Sequence, residues 1–232
     1  MDPVVEIVAD IARVLDPVDE VGHPWGYGWT GDGRESRLPG ERREGDLRSA
    51  AVLVPVVVEE AGVTLLVTQR TMTVRDHKGQ VSFPGGMREQ DDESHLETAL
   101  RETEEEVGVS RELVHVVGRL RPYDTITGFR VHPFVGIIKG RPGIVVNDDE
   151  IEEVFLVDLE KLMDPATFAE SRVEWQGQEH VVRAYDWGGP VIWGATVNIL
   201  SELIARVRQG SREPAGSLER ARPRPLERTS DS

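Results

Sequence analysis

Residues 83–109 read FPGGMREQDDESHLETALRETEEEVGV, and the rest of the chain is best read outward from them. The second half of this stretch has helical spacing. At about 100° per residue, with Leu96 at zero, Ala99, Leu100, Thr103 and Val107 all fall within roughly 60° of it. The spacing predicts a helix over about residues 92–107 with that stripe against a core. Glu102, Glu105 and Glu106 fall at about 240°, 180° and 280° by the same arithmetic, so three carboxylates share one flank. Like charges at i, i+3 and i+4 destabilise a helix by about 0.2–0.5 kcal/mol per pair, and Arg101 relieves only part of that. Hard divalent cations take oxygen ligands and substrate phosphates, which gives such a cluster a chemical use. Acidic runs on helices are also commonly solvated faces, and spacing alone leaves both readings open. Glu97 and Glu104, at about 100° and 80°, point away from the cluster. Ahead of the helix, Gly85 and Gly86 let the backbone approach a ligand closely.

Around this stretch the chain alternates short apolar runs with turn residues. Residues 4–15 carry helical spacing, and residues 17–47, rich in Gly, Pro, Asp and Arg, read as an irregular connector. Ala50 to Val58 and Val63 to Thr68 read as buried strands, with residues 71–80 a loop and Val81 to Phe83 a short strand stopped by Pro84-Gly85-Gly86. Leu113 to Leu120, Val131 to Ile138 and Glu153 to Val157 read as further strands, and Val173–Trp175 with Val181–Trp187 as a hairpin. Trp193 is expected to pack in the core before a closing helix, Thr196 to Val207. From Gly210 onward the apolar content nearly vanishes, which predicts a disordered tail over 210–232. The division is therefore an N-terminal helix and extension over 1–47, a main domain over 48–209, and the tail. Strands interleaved with few helices imply an α/β sandwich.

The chain has 232 residues and a formal net charge of −15, from 42 acidic and 27 basic residues. One domain of this length buries a real core. With no cysteine, disulfides, Cys-ligated zinc, iron–sulfur clusters and thiol nucleophiles are excluded. The acidic surface argues against nucleic acid as a partner. No apolar run nears the roughly 18 residues a membrane span needs, and the acidic N-terminus lacks a basic leader, so a cytoplasmic protein with no membrane partner is expected. Lysine occurs only at positions 78, 139 and 161. Concentrated salt, which screens repulsion, and a genome that favours Arg over Lys both account for that bias.

The stretch Gly85–Val109 resembles the signature box of the Nudix hydrolases, whose second half is Arg-Glu-U-x-Glu-Glu-x-Gly-U with U aliphatic. Arg101 to Val109 matches it, with Thr103 at an aliphatic position. Glu93 stands seven residues before Arg101, where the family has its upstream Glu, but the box carries one extra residue between the glycines and Glu93. Residues 74–86, VRDHKGQVSFPGG, resemble the motif ahead of the box in the coenzyme A pyrophosphatases of that family, as do Val131–Gly136, Glu150–Leu156 and Ile192–Thr196 downstream. The resemblance spans roughly residues 48–208. It implies an α/β/α sandwich with a mixed sheet between helices. It also implies Mg²⁺- or Mn²⁺-dependent hydrolysis of the diphosphate of coenzyme A to 3′,5′-ADP and 4′-phosphopantetheine.

By that resemblance Glu102, Glu105 and Glu106 hold metal, Glu102 and Glu105 act in catalysis, and Arg101 braces a carboxylate. Arg70, Arg75, His77, Gln80, Gly85 and Gly86 are candidates for substrate contact, and Glu150 for a further ligand or base. A small-molecule diphosphate is the expected partner, with a homodimer an open alternative to a monomer. Another nucleoside diphosphate derivative, such as ADP-ribose or a dinucleotide, remains an alternative substrate. A non-catalytic binding module is the other alternative, although such domains usually lose box carboxylates and all three are present here.

Overall fold

The structure, a computed structural model, describes residues 3–18, 28–30, 34–36, 47–72, 79–125, 127–175 and 178–210. Helix α1 (Pro3–Val14) is followed by two short strands, β1 (Gly28–Thr30) and β2 (Arg34–Ser36), and then by β3 (Arg48–Glu59), β4 (Gly62–Arg70), β5 (Val81–Ser82) and β6 (Gly85–Met87). Helix α2 (His95–Val107) leads into β7 (Val114–Arg119), β8 (Tyr123–Asp124), β9 (Phe129–Lys139) and β10 (Ile151–Asp158). The chain closes with α3 (Leu159–Met163), β11 (Phe168–Trp175), β12 (Gln178–Tyr185), β13 (Ile192–Trp193) and α4 (Ala195–Gly210).

The central sheet runs in the order β10-β4-β3-β9-β7, with β5 added to β4, β6 to β3 and β8 to β9. β3 and β9 pair in parallel from Arg48↔Phe129 to Val58↔Lys139, while the other pairings are antiparallel, so the sheet is mixed. β3 is almost entirely aliphatic because both of its faces are covered. Successive side chains alternate across it. Ala51 and Leu53 pack with Ala99 of α2 and Phe134, whereas Val54 and Val56 pack with Ile11 of α1 and with Ile199, Leu200 and Leu203 of α4. The architecture is the expected α/β/α sandwich. Among the described residues no helix is long and apolar enough to cross a membrane.

Several local expectations change. Pro84-Gly85-Gly86 does not simply end a strand, because Gly85 and Gly86 pair with Val52 and Ala51 as β6. A Cβ at Gly85 would collide with the Ala51 carbonyl and the Val52 backbone, so pairing this close requires glycine. Helix α3, N-capped by Asp158, is too short for periodicity to reveal. Trp193 is not core: it is 46% exposed, opposite Ala184 on the small sheet. The connector over 17–47 contains the β1–β2 hairpin, and most of its remainder lies outside the described residues. Helix α4 continues through Gly210, whose carbonyl accepts a bond from Arg13 of α1 at 2.8 Å. The tail expected beyond it falls on residues outside those described.

Candidate active site

Helix α2 begins where its sequence provides a cap. The Ser94 side chain accepts the N–H of Glu97, and Gly108, at φ 68°, ends the helix with its N–H on the Glu104 carbonyl. Thr98, Ala99, Thr103 and Val107 are buried against the sheet. The Thr103 hydroxyl bonds back to the Ala99 carbonyl at 2.7 Å, so this polar side chain on an apolar face has its partner.

The helix aims its carboxylates at the glycine strand. Glu102 lies over Gly86 so closely that any Cβ there would strike its carboxylate. Burial raises the Glu102 pKa above the usual carboxylate range; Arg101 opposes the shift, and Glu105 and Glu150 add to it. Glu106 is 2% exposed. Its Oε2 accepts the Gly85 N–H at 3.1 Å and its Oε1 meets Arg70 Nη1 at 2.9 Å. Burial pushes its pKa up to about 7 despite Arg70 and Gly85, with Glu102 and Glu150 adding to the rise. Glu105 is exposed and bonds Arg101 Nη1 at 2.9 Å.

Glu150 joins this group from the far side. It sits on the turn before β10, where its own N–H and that of Ile151 bond the Asn147 carbonyl. Its Oε2 lies 3.2 Å from Arg70 Nη2. Arg70 is thus engaged by Glu106 and Glu150. Its backbone is held as well, with its N–H on the Gln80 carbonyl and its carbonyl accepting the Gly79 N–H. Gln80 therefore stands beside Arg70, while Arg75 and His77 lie outside the described residues.

Arg101 gathers the other flank. Its Nε and Nη2 contact the two oxygens of Asp92 at 2.9 and 3.2 Å, its Nη2 reaches the Met87 carbonyl, and Glu102 lies 3.0 Å away. The upstream acid that holds Arg101 is Asp92, not Glu93, whose side chain is exposed. The extra residue in the box moves the acid one position toward the glycines. The Arg101 hydrogen bond holds the Asp92 carboxyl well below its ordinary pKa against the cost of burial, aided by the Glu89 N–H and the Thr98 hydroxyl. One signal for this was present in the sequence: Ser94-x-x-Glu97 is a capping box that starts the helix at His95 and leaves Asp92 in the preceding turn.

Glu102, Glu105, Glu106 and Glu150 thus gather with two guanidiniums, Arg70 and Arg101, and neighbouring carboxylates add to the raised pKa of Glu102 and of Glu106. Oxygen donors of this kind suit Mg²⁺ or Mn²⁺. As the side chains stand among the described residues, no three acidic or imidazole groups converge to hold a metal ion. The donor set fits a hard cation only if a carboxylate turns from its arginine.

The NUDIX domain profile matches residues 47–176. The uncharacterised Nudix hydrolase NudL of Photorhabdus laumondii subsp. laumondii is 36% identical over 170 residues, 73% of this chain and 90% of that protein. The NudL of Pectobacterium atrosepticum is 38% identical over 160 residues, 69% of this chain and 83% of that one. Among solved structures, a MutT protein from Methanosarcina mazei Go1 aligns with a TM-score of 0.47 at 18% identity, covering 74% of this chain and all of that one. With the domain matched over more than half its length, the chain belongs to the Nudix hydrolases, which act on phosphoric anhydride bonds.

Proposed function

We propose that the enzyme hydrolyses the diphosphate of coenzyme A or a close derivative, releasing 3′,5′-ADP and 4′-phosphopantetheine. The observation that supports this most is the course of the Gly79–Gly86 run. This run of coenzyme A-type sequence starts at Gly79 and Gln80, both bonded to the Arg70 backbone, and reaches the Gly85–Gly86 pair, where the Gly85 N–H bonds Glu106. The residues expected to read the substrate and those expected to act on it are therefore joined by one short segment.

Nudix hydrolases in general use divalent ions such as Mg²⁺ or Mn²⁺. Glu102, Glu105 and Glu106, with Glu150 opposite, would hold such an ion, which neutralises the diphosphate and lowers the pKa of bound water. Arg101 fixes the reach of Glu102 and Glu105, since Asp92 and the Met87 carbonyl anchor it. Glu105, the exposed member of the three, is the carboxylate an entering water meets and the candidate acceptor for its proton. Gly86 leaves the space in which the Glu102 carboxylate sits. Arg70 supplies positive charge beside Gln80. Catalysis on a diphosphate is largely this kind of positioning and charge neutralisation.

A substrate panel tests the reading. With Mg²⁺ or Mn²⁺, coenzyme A should give a higher kcat/KM than dephospho-coenzyme A, ADP-ribose or NADH. Faster turnover of ADP-ribose or NADH would overturn the substrate while leaving the chemistry in place.

A further inference from the structure

We propose that Arg70 is an exchangeable counter-cation. It occupies Glu106 and Glu150 while no metal is bound, and an arriving divalent cation takes those carboxylates and releases its guanidinium to the substrate diphosphate. The inference rests on the metal-dependent reading above and adds a step to it.

The guanidinium is committed loosely. Its fork is divided between two acids, Nη1 on Glu106 at 2.9 Å and Nη2 on Glu150 at 3.2 Å, instead of gripping one carboxylate with both arms. Glu106 is 2% exposed, and Arg70 is the cation paired with it. Arg70 occupies an oxygen of each carboxylate, Glu106 and Glu150, and no three metal-binding groups come together among the described residues. A cation that takes the Arg70-bound oxygens of Glu106 and Glu150 must displace this arginine.

Arg101 is the wrong one to move. Asp92, 5% exposed, holds it with two bonds, and the Met87 carbonyl adds a third. Among the described residues the Arg70 guanidinium bonds nothing except the two acids it would surrender. Its backbone cannot follow a displaced side chain, being bonded to Gln80 and Gly79 and in register with Ile151 of β10. Only the side chain, 22% exposed, can turn. A divalent ion beside Glu106 repels the guanidinium at this range, and a diphosphate attracts both. The exchange therefore ties metal arrival to the presentation of a phosphate-binding group beside Gln80.

Calorimetric titration of substrate-free protein with Mn²⁺ tests this. At pH 9, where a proton no longer competes for Glu106, Arg70→Gln should bind Mn²⁺ about tenfold more tightly than wild type, because the competing cation is gone. Equal or weaker binding by the variant would overturn the exchange and make Arg70 a residue that merely orients Glu106. A second measurement needs no variant protein to fold well. In wild type, saturating Mg²⁺ should shift the Arg70 Nε–H resonance by more than that of Arg101, whose Nε stays on Asp92. An unmoved Arg70 signal with Mg²⁺ bound would overturn the proposal. If wild type takes up no Mn²⁺ at all, the metal reading itself fails and the exchange falls with it.

Discussion

Asp92 shows how one side chain can fix the arginine that lies beside Glu102 and Glu105. Its carboxylate accepts the Glu89 N–H at 2.9 Å, the Thr98 hydroxyl at 2.8 Å and two bonds from Arg101. Replacing it with Asn leaves Arg101 without its charged anchor. Asp92→Asn should cost about 1.5–3 kcal/mol of stability. It should also lower turnover by about 10–100-fold, the usual range for a residue that orients metal-binding groups. Glu93→Gln should melt and turn over like wild type. Thermal melts and initial rates on the two variants decide which acid does this work, and a damaging Glu93→Gln with a silent Asp92→Asn would reverse the assignment.

At the scale of elements, β6 and the end of α2 carry separable jobs. The nearest atoms to an added Cβ at Gly86 are the movable end of the Glu102 side chain, whereas at Gly85 they include backbone of β3. Gly86→Ala should therefore fold and lose most of its activity, while Gly85→Ala should lose the fold as well, read by melting and rate together. Glu104 gives a second contrast. Its carboxylate accepts the Arg111 N–H at 2.8 Å and pairs with the Arg111 guanidinium at 2.7 Å, pinning the turn after α2. Helical spacing alone makes it a bystander, yet Glu104→Gln should cost about 0.5–1 kcal/mol at near-normal turnover, because the pair is partly screened by solvent. A loss of activity as large as that of Glu105→Gln would mean that the helix faces are wrongly assigned.

The same elements show where sequence reasoning carries and where it stops. The face of α2 was legible because a 3.6-residue period fixes it locally. β6 was not, because Gly-Gly has no side-chain pattern and becomes a strand only by pairing with Val52 and Ala51. The meeting of Arg70 with Glu106 and Glu150 was hidden for a related reason: it joins residues 36 and 80 positions apart. The exposure of Trp193 depends on which sheet face is covered, and composition is silent on that.

For the whole molecule, buried titratable groups set the response to acid. The His132 ring stacks on His95 at 3.8 Å, and His95 lies 2.7 Å from the Ser49 hydroxyl. Burial pushes the His132 pKa down to about 3, with His95, Arg130 and Arg119 adding to the effect. An unfolded histidine titrates near ~6.5. The neutral folded ring thus contributes stability that is fully present above that pH and is lost as pH falls from about 6.5 toward 3. Glu106 and Glu202, both raised by burial, pull the other way as pH rises from the ordinary carboxylate range through their raised values. The informative quantity is therefore the difference between wild type and His132→Gln. Chemical denaturation should show wild type losing stability relative to the variant below pH ~6.5, by at most about 1.4 kcal/mol per pH unit. A difference that does not vary with pH would mean that His132 is not neutral in the folded protein.

The most direct measurement is product analysis of coenzyme A incubated with Mg²⁺ and either wild type or Glu105→Gln. Glu105 is exposed, with 56% of its side chain in solvent, so the variant keeps its fold and a change in product reports on chemistry. Wild type should release 3′,5′-ADP and 4′-phosphopantetheine in equal amounts, with release abolished by EDTA and reduced by orders of magnitude in Glu105→Gln. Intact coenzyme A with wild type, or undiminished release by Glu105→Gln, would contradict a carboxylate-held metal site acting on this diphosphate.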